Sequence, residues 1–155
     1  MLGAAPDISA VIPSFRINAE LGRQPSAGID VARDIKARGK LGDVVIVHLG
    51  NNGPFSESEF ETLMTFLADR KLVIVVNVSV PRPWESAVNQ MLAANIGRFP
   101  NAVLIDWHAS SDGHPEYFWD DHVHLRPDGA GEYAALIAGL IAKPAPVAAG
   151  SITSD

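Results

Sequence analysis

Three runs of branched apolar residues constrain this chain more than any other feature: Val44-Val45-Ile46-Val47-His48-Leu49, Leu72-Val73-Ile74-Val75-Val76-Asn77-Val78 and Ala102-Val103-Leu104-Ile105-Asp106-Trp107. A half-exposed strand alternates apolar with polar, whereas an unbroken apolar run is covered on both faces. Between the runs lie stretches with helical periodicity. Ser56-Glu57-Ser58-Glu59 forms a capping box, and the helix it opens sets Phe60, Leu63, Met64 and Leu67 on one side. Ser86–Arg98 repeats the pattern through Val88, Met91, Leu92 and Ile96. Strands alternating with helices require crossover connections, so the expectation is an α/β fold with a parallel sheet and helices on both faces.

The flanking segments extend this layout. A short helix is expected around Pro6–Ile12, then a strand at Phe15–Ala19, giving four strands in all. Leu21–Ser26 is a turn-rich loop, and Ser26 is the expected N-cap of a helix running to Arg38, with Gly39 closing it. After Pro127, the residues Tyr133, Leu136, Ile137, Leu140 and Ile141 form one buried helical stripe. One domain is expected over residues 1–143, with 144–155 a flexible tail rich in Pro, Ala, Gly and Ser. The formal net charge of −6, without a basic cluster, argues against a nucleic-acid partner. Without cysteine there is no disulfide or thiolate chemistry. No apolar run reaches the ~18 residues a membrane span needs, and the first residues lack the positive start of a signal peptide.

In open parallel sheets, function gathers at the carboxyl ends of the strands. The unusual polar residues fall on the loops expected there: Gly22–Ser26, Gly50–Pro54, Val80–Trp84 and Ala109–His124. Asp121 and His124 stand three apart in a turn, where a carboxylate can accept the imidazole Nδ1–H and leave Nε2 free as a base. The plain alternative is a polar surface loop. A metal site is the sharper rival, since Asp120, Asp121, His122, His124 and His114 are all ligand types, but no second cluster of that density occurs. His122 reads as solvent-exposed or as support for its neighbours. The Asn52 amide could donate to a developing oxyanion, or simply serve Asn-Gly turn chemistry. Gly22 could offer its N–H to the same charge, or merely permit a positive φ.

Together these blocks resemble the SGNH (GDSL-type) hydrolase superfamily. Gly22-Arg23-Gln24, Leu49-Gly50-Asn51-Asn52-Gly53, Val80-Pro81-Arg82-Pro83-Trp84-Glu85 and Asp121-His122-Val123-His124-Leu125-Arg126-Pro127-Asp128-Gly129 look like the SGNH domain attached to bacterial acyltransferase-3 proteins. Those proteins O-acetylate cell-wall and surface polysaccharides. The resemblance implies a three-layer α/β/α, flavodoxin-like sheet, with His124 as base, Asp121 as its orienting partner, and Gly22 and Asn52 as oxyanion donors. It makes Arg23, Gln24, Trp84 and Trp119 candidates for substrate binding. No metal or organic cofactor is implied. The implied partners are an acylated sugar or polysaccharide and a membrane-embedded acyltransferase half, with a location outside the cytoplasm.

One departure stands out. The superfamily carries its serine nucleophile in a Gly-Asp-Ser motif after the first strand, and no Gly-Asp-Ser occurs in these 155 residues. Met1-Leu2-Gly3-Ala4-Ala5-Pro6 looks like the stretch that follows that serine. The expectations are therefore a truncated domain without its first central strand, inactive as it stands, with a weakened or unpaired Phe15–Ala19 strand and a vacant sheet edge. The alternative is a non-catalytic carbohydrate-binding or interaction module that keeps the cleft. Trp84, Trp107, Trp119 and Tyr117 could then supply stacking surfaces, although core packing suits Trp107.

Overall fold

The computed structural model describes residues 2–142. After a 3-10 turn at Leu2–Ala4 come helix α1 (Ala5–Val11), α2 (Pro25–Ala37), strand β1 (Val44–Val47), α3 (Glu57–Phe66), β2 (Leu72–Val76), α4 (Glu85–Asn95), β3 (Ala102–Ile105), α5 (Trp107–Ser111) and α6 (Pro127–Ile141). The sheet runs in the order β1-β2-β3 and is wholly parallel, with Val44 opposite Leu72 and Val76 opposite Ile105.

Burial along β2 divides by parity. Val73 and Val75 face a core built with Phe60, Leu63 and Met64 of α3, Val88 and Leu92 of α4, and Ile29 of α2. Ile74 and Val76 face a second core with Ile8 of α1, Trp107, and Tyr133, Ala134 and Ile137 of α6. Helices therefore cover both faces, giving the expected three-layer α/β/α arrangement. Its local causes are legible in the chain: Ser56 accepts the Glu59 N–H while the Glu59 carboxylate accepts the Ser56 N–H, closing the capping box. Pro127 sits in the first turn of α6, where a missing N–H costs nothing.

Three expectations are corrected. The sheet has three strands, not four: Phe15–Ala19, expected to be weakened or unpaired, pairs with no strand among the described residues. A strand exists through its ladder, and among the described residues none pairs with this segment. Phe15 instead packs on the second core. The helix expected from Ser26 begins one residue earlier at Pro25, with Gln24 at the N-cap, so Ser26 caps nothing. Finally, the run to Trp107 turns helical at its end, because the Asp106 carboxylate accepts the Ala109 N–H and starts α5. The expected tail lies outside the described residues. Among the described residues no helix is long and apolar enough to cross a membrane.

Two glycines of α6 separate packing from propensity. A Cβ at Gly129 would collide with the Tyr117 carbonyl oxygen, whereas at Gly131 it would meet open space. Gly129→Ala should lower stability by about 1–3 kcal/mol through overpacking. Gly131→Ala should raise it by roughly 0.4–1 kcal/mol. Urea unfolding of the two variants checks this; equal effects would show that α6 does not press on Tyr117.

Candidate active site

The segment between α5 and α6 is a tight turn. Phe118 and Leu125 form an antiparallel bridge, Trp119 N–H donates to the His124 carbonyl at 2.8 Å, and His122 N–H donates to the Trp119 carbonyl at 2.8 Å. His122 takes φ 54°, a left-handed conformation that non-glycine residues seldom hold, and its side chain stays exposed. Phe118 and Leu125 pack on the second core while Val123 packs against the first. The turn thus passes from one helical layer to the other, and both its legs are fixed.

A single carboxylate organises the turn. Asp121 Oδ1 accepts the N–H groups of Val123 and His124, each at 2.9 Å, and Oδ2 meets His124 Nδ1 at 2.6 Å. The three-residue spacing is what lets one carboxyl group serve backbone and imidazole together. With Nδ1–H donated to Asp121, Nε2 is the basic nitrogen. The two side chains are 59% (His124) and 49% (Asp121) exposed, so a reacting group can reach them. The His124 imidazole, followed by the two backbone N–H groups, holds the Asp121 carboxyl well below the usual carboxylate range.

The Gly50–Gly53 loop follows β1 and is held from two sides. Trp84, at the N-cap of α4, donates its indole N–H to the Gly50 carbonyl at 2.9 Å. Gln24, at the N-cap of α2, donates its amide to the Asn52 carbonyl at 2.7 Å. The Gln24 side chain occupies the space a Cβ at Gly53 would need. Gly50 takes φ 109°, and its missing Cβ makes room for Val78 and Val88. Asn52 itself is exposed, and Gly22 takes φ 74° with open space around it. Arg23 bonds the Asn18 carbonyl at 2.9 Å and Glu20 at 3.1 Å.

Of the four substrate-binding candidates, then, Arg23, Gln24 and Trp84 bond the chain's own groups, and Trp119 presents a 52% exposed ring. Two serines near the turn engage the backbone: Ser110 donates to the Asp106 carbonyl, and the buried Ser111 donates to the Trp107 carbonyl. A recess of about 680 Å³ between β3, α5 and α6 is lined by Ser110 together with Leu104, Asp106, Glu132 and Leu136, and by none of Gly22, Asn52, Asp121 or His124. Among the described residues no three His, Asp or Glu side chains converge as a metal site requires.

Two polar features escaped the sequence reading. Asn77, buried at the end of β2, donates to Asp106 at 2.7 Å and accepts the His108 N–H at 2.9 Å, tying the ends of β2 and β3. His48 shares a 2.9 Å hydrogen bond with Tyr133 and stacks on its ring, and burial lowers its pKa to about 3. The only available signal for the second was a titratable residue inside a β-branched run. The contacts themselves span 29 to 85 residues, beyond any local pattern.

No family model matches the chain. The chain is 35% identical over 143 residues to the peptidoglycan O-acetyltransferase OatA of Listeria monocytogenes, covering 92% of this chain and 23% of that protein. It is 37% identical over 137 residues to YrhL of Bacillus subtilis, covering 88% of this chain and 22% of YrhL. The chain thus spans less than a quarter of the length of these relatives. Among solved structures, the C-terminal catalytic domain of Streptococcus pneumoniae peptidoglycan O-acetyltransferase A, solved with a methylsulfonyl adduct, matches with a TM-score of 0.78 at 20% identity, covering 89% of this chain and 85% of that one. A lipase/acylhydrolase from Enterococcus faecalis matches with a TM-score of 0.64 at 16% identity, covering 89% and 84%.

The Asp121 shift has a definite sign. A carboxyl whose folded pKa is depressed contributes stability that is complete above its unfolded value and is lost only as pH falls through the lower folded value. Carbon-13 NMR should therefore show Asp121 titrating below the ordinary 3.8, and His124→Ala should move that midpoint upward. A midpoint at or above 3.8 would mean the pair does not form in solution.

Proposed function

The chain belongs to the SGNH hydrolase superfamily, as a homologue of a segment of bacterial peptidoglycan O-acetyltransferases, and on that premise we propose that it is the acyl-transferring domain of such an enzyme. The observation that supports this reading best is the 2.6 Å Asp121–His124 bond, which presents a free Nε2 on a turn fixed to both cores. In this reading the nucleophile is a serine of a Gly-Asp-Ser segment outside these 155 residues. His124 Nε2 takes the serine proton as Oγ adds to the acetyl carbonyl. The Gly22 N–H and the Asn52 amide donate to the oxyanion, each such donor being worth roughly 2.7–4 kcal/mol. Collapse breaks the ester bond, and the leaving alkoxide takes the proton from His124. A sugar hydroxyl, or water, then loses its proton to His124 and attacks the acetyl-serine, releasing the acetylated product and restoring the serine.

The substrate is an acetylated donor together with a cell-wall or surface polysaccharide acceptor, and the domain works outside the cytoplasm beside a membrane-embedded acyltransferase half. Support for this comes from the peptidoglycan activity named for OatA and from its greater length. The chemistry needs no metal or organic cofactor.

The reading makes a paired prediction about rate. The 155-residue chain should hydrolyse a small activated acetyl ester at close to the buffer rate, because a base and oxyanion donors without a nucleophile keep only residual catalysis. Adding the Gly-Asp-Ser strand of a relative upstream of Met1 should restore turnover, and His124→Ala in that longer chain should lower kcat by about 10⁴-fold or more. Ordinary enzyme rates from the 155 residues, abolished by His124→Ala, would point to a different nucleophile. A folded longer chain that stays inert would favour a non-catalytic glycan-binding module.

A further inference from the structure

Trp119 is the large aromatic side chain of the turn that carries His124, and it is half-exposed while its backbone is fully engaged. Its N–H bonds the His124 carbonyl and its carbonyl accepts the His122 N–H, so the ring and the imidazole ride on one closed turn. One ring face is already covered. The Arg126 guanidinium lies 4.9 Å from the ring centroid, and its Nε is shielded from solvent without a hydrogen-bond partner. Arg126 is itself placed twice, by its backbone N–H on the Tyr117 carbonyl at 2.8 Å and by its contact with Asp120 at 3.1 Å. A cation held over an indole stabilises that ring orientation. The arrangement leaves a flat apolar face that is set in place before any ligand arrives, so little rotamer freedom remains to be lost on binding.

We propose that Trp119, braced by Arg126, is the platform on which a pyranose ring of the acceptor glycan stacks, holding a sugar hydroxyl near His124. The proposal rests on the acyl-transfer reading for the identity of the occupant and names the residue that selects it. A pyranose suits this surface because its axial C–H groups form an apolar face matching an indole, while its rim hydroxyls remain solvated. A linear acyl donor offers no such face. Trp84, the other tryptophan at the carboxyl end, is a poorer platform because its indole N–H is committed to the Gly50 carbonyl. Trp107 is buried. Trp119 is thus a specificity residue, acting on acceptor binding without entering the proton transfers.

Binding does not require the serine, so the 155-residue chain itself supports the test. Chitotetraose, a β-1,4-linked N-acetylglucosamine oligomer, is titrated into nitrogen-15-labelled protein. The expected result is saturable shifts of the Trp119 indole resonance and of the amides from Trp119 to Arg126. Trp119→Ala should weaken binding about tenfold or more, as truncating a central aromatic anchor does, whereas Trp119→Tyr should retain most of it. Arg126→Ala, which frees the ring, should weaken binding by a smaller factor. Retained amide dispersion in each variant shows that the fold persists. Absence of saturable shifts, shifts confined to other residues, or unchanged affinity in Trp119→Ala would each overturn the proposal. These outcomes are independent of turnover, which can fail while the sugar still binds, or persist on water when it does not.

Discussion

Successive residues of β2 are buried on opposite sides of the sheet, Val73 and Val75 on one and Ile74 and Val76 on the other, and the remaining architecture depends on that division. Each fully buried branched side chain contributes roughly 1.5–3 kcal/mol relative to exposure, so a strand loaded on both faces must be covered on both. A parallel strand can be reached only by a crossover, and the crossovers are the helices that supply the cover. Every strand then ends on the same side of the molecule. The Gly50–Gly53 loop, the Asn77–Val80 segment and the Asp106 cap each follow a strand and so lie at that end for topological reasons, before any chemistry is specified.

The two histidine pairs, one inside the fold and one exposed, show how environment divides roles. His48 sits against Tyr133 in an apolar setting, and burial keeps it neutral. It serves packing at the end of β1. His124 stands in solvent contact with Asp121 beside it, and the ion pair is available whenever the imidazole gains a proton. Charge can appear at His124 during a reaction without the desolvation penalty that His48 would incur. The Asp121 carboxylate does this while also tying the backbone of its own turn, so orientation of the imidazole and conformation of the loop are one property. The Gly50–Gly53 loop is fixed by different means, with Trp84 and Gln24 holding its carbonyls from two helix starts.

How much of this could be read in the chain follows from the range of each interaction. The capping box at Ser56, the stripe of α6 and the Asp121–His124 pair depend on residues three or four apart, and each is in place. The layer architecture followed from the unbroken apolar runs. Phe15–Ala19 went astray because alternation describes a strand's faces but not its ladder, and the ladder is non-local. Asp106–Trp107 misled because a strand end and an N-cap share the residue Asp106. Gln24, a substrate-binding candidate from the resemblance, also bonds the Asn52 carbonyl 28 residues away, which no local spacing could reveal.

The proposed arrangement of base and oxyanion donors is tested most directly by a crystal structure of the N-terminally extended chain carrying a sulfonyl adduct on the Gly-Asp-Ser serine. The predicted result is a serine Oγ beside His124 Nε2, with one sulfonyl oxygen about 2.7–3.1 Å from both the Gly22 nitrogen and the Asn52 amide nitrogen. An adduct oxygen directed away from those donors, or an Asn52 amide lying outside the cleft that holds His124, would contradict the acyl-transfer site.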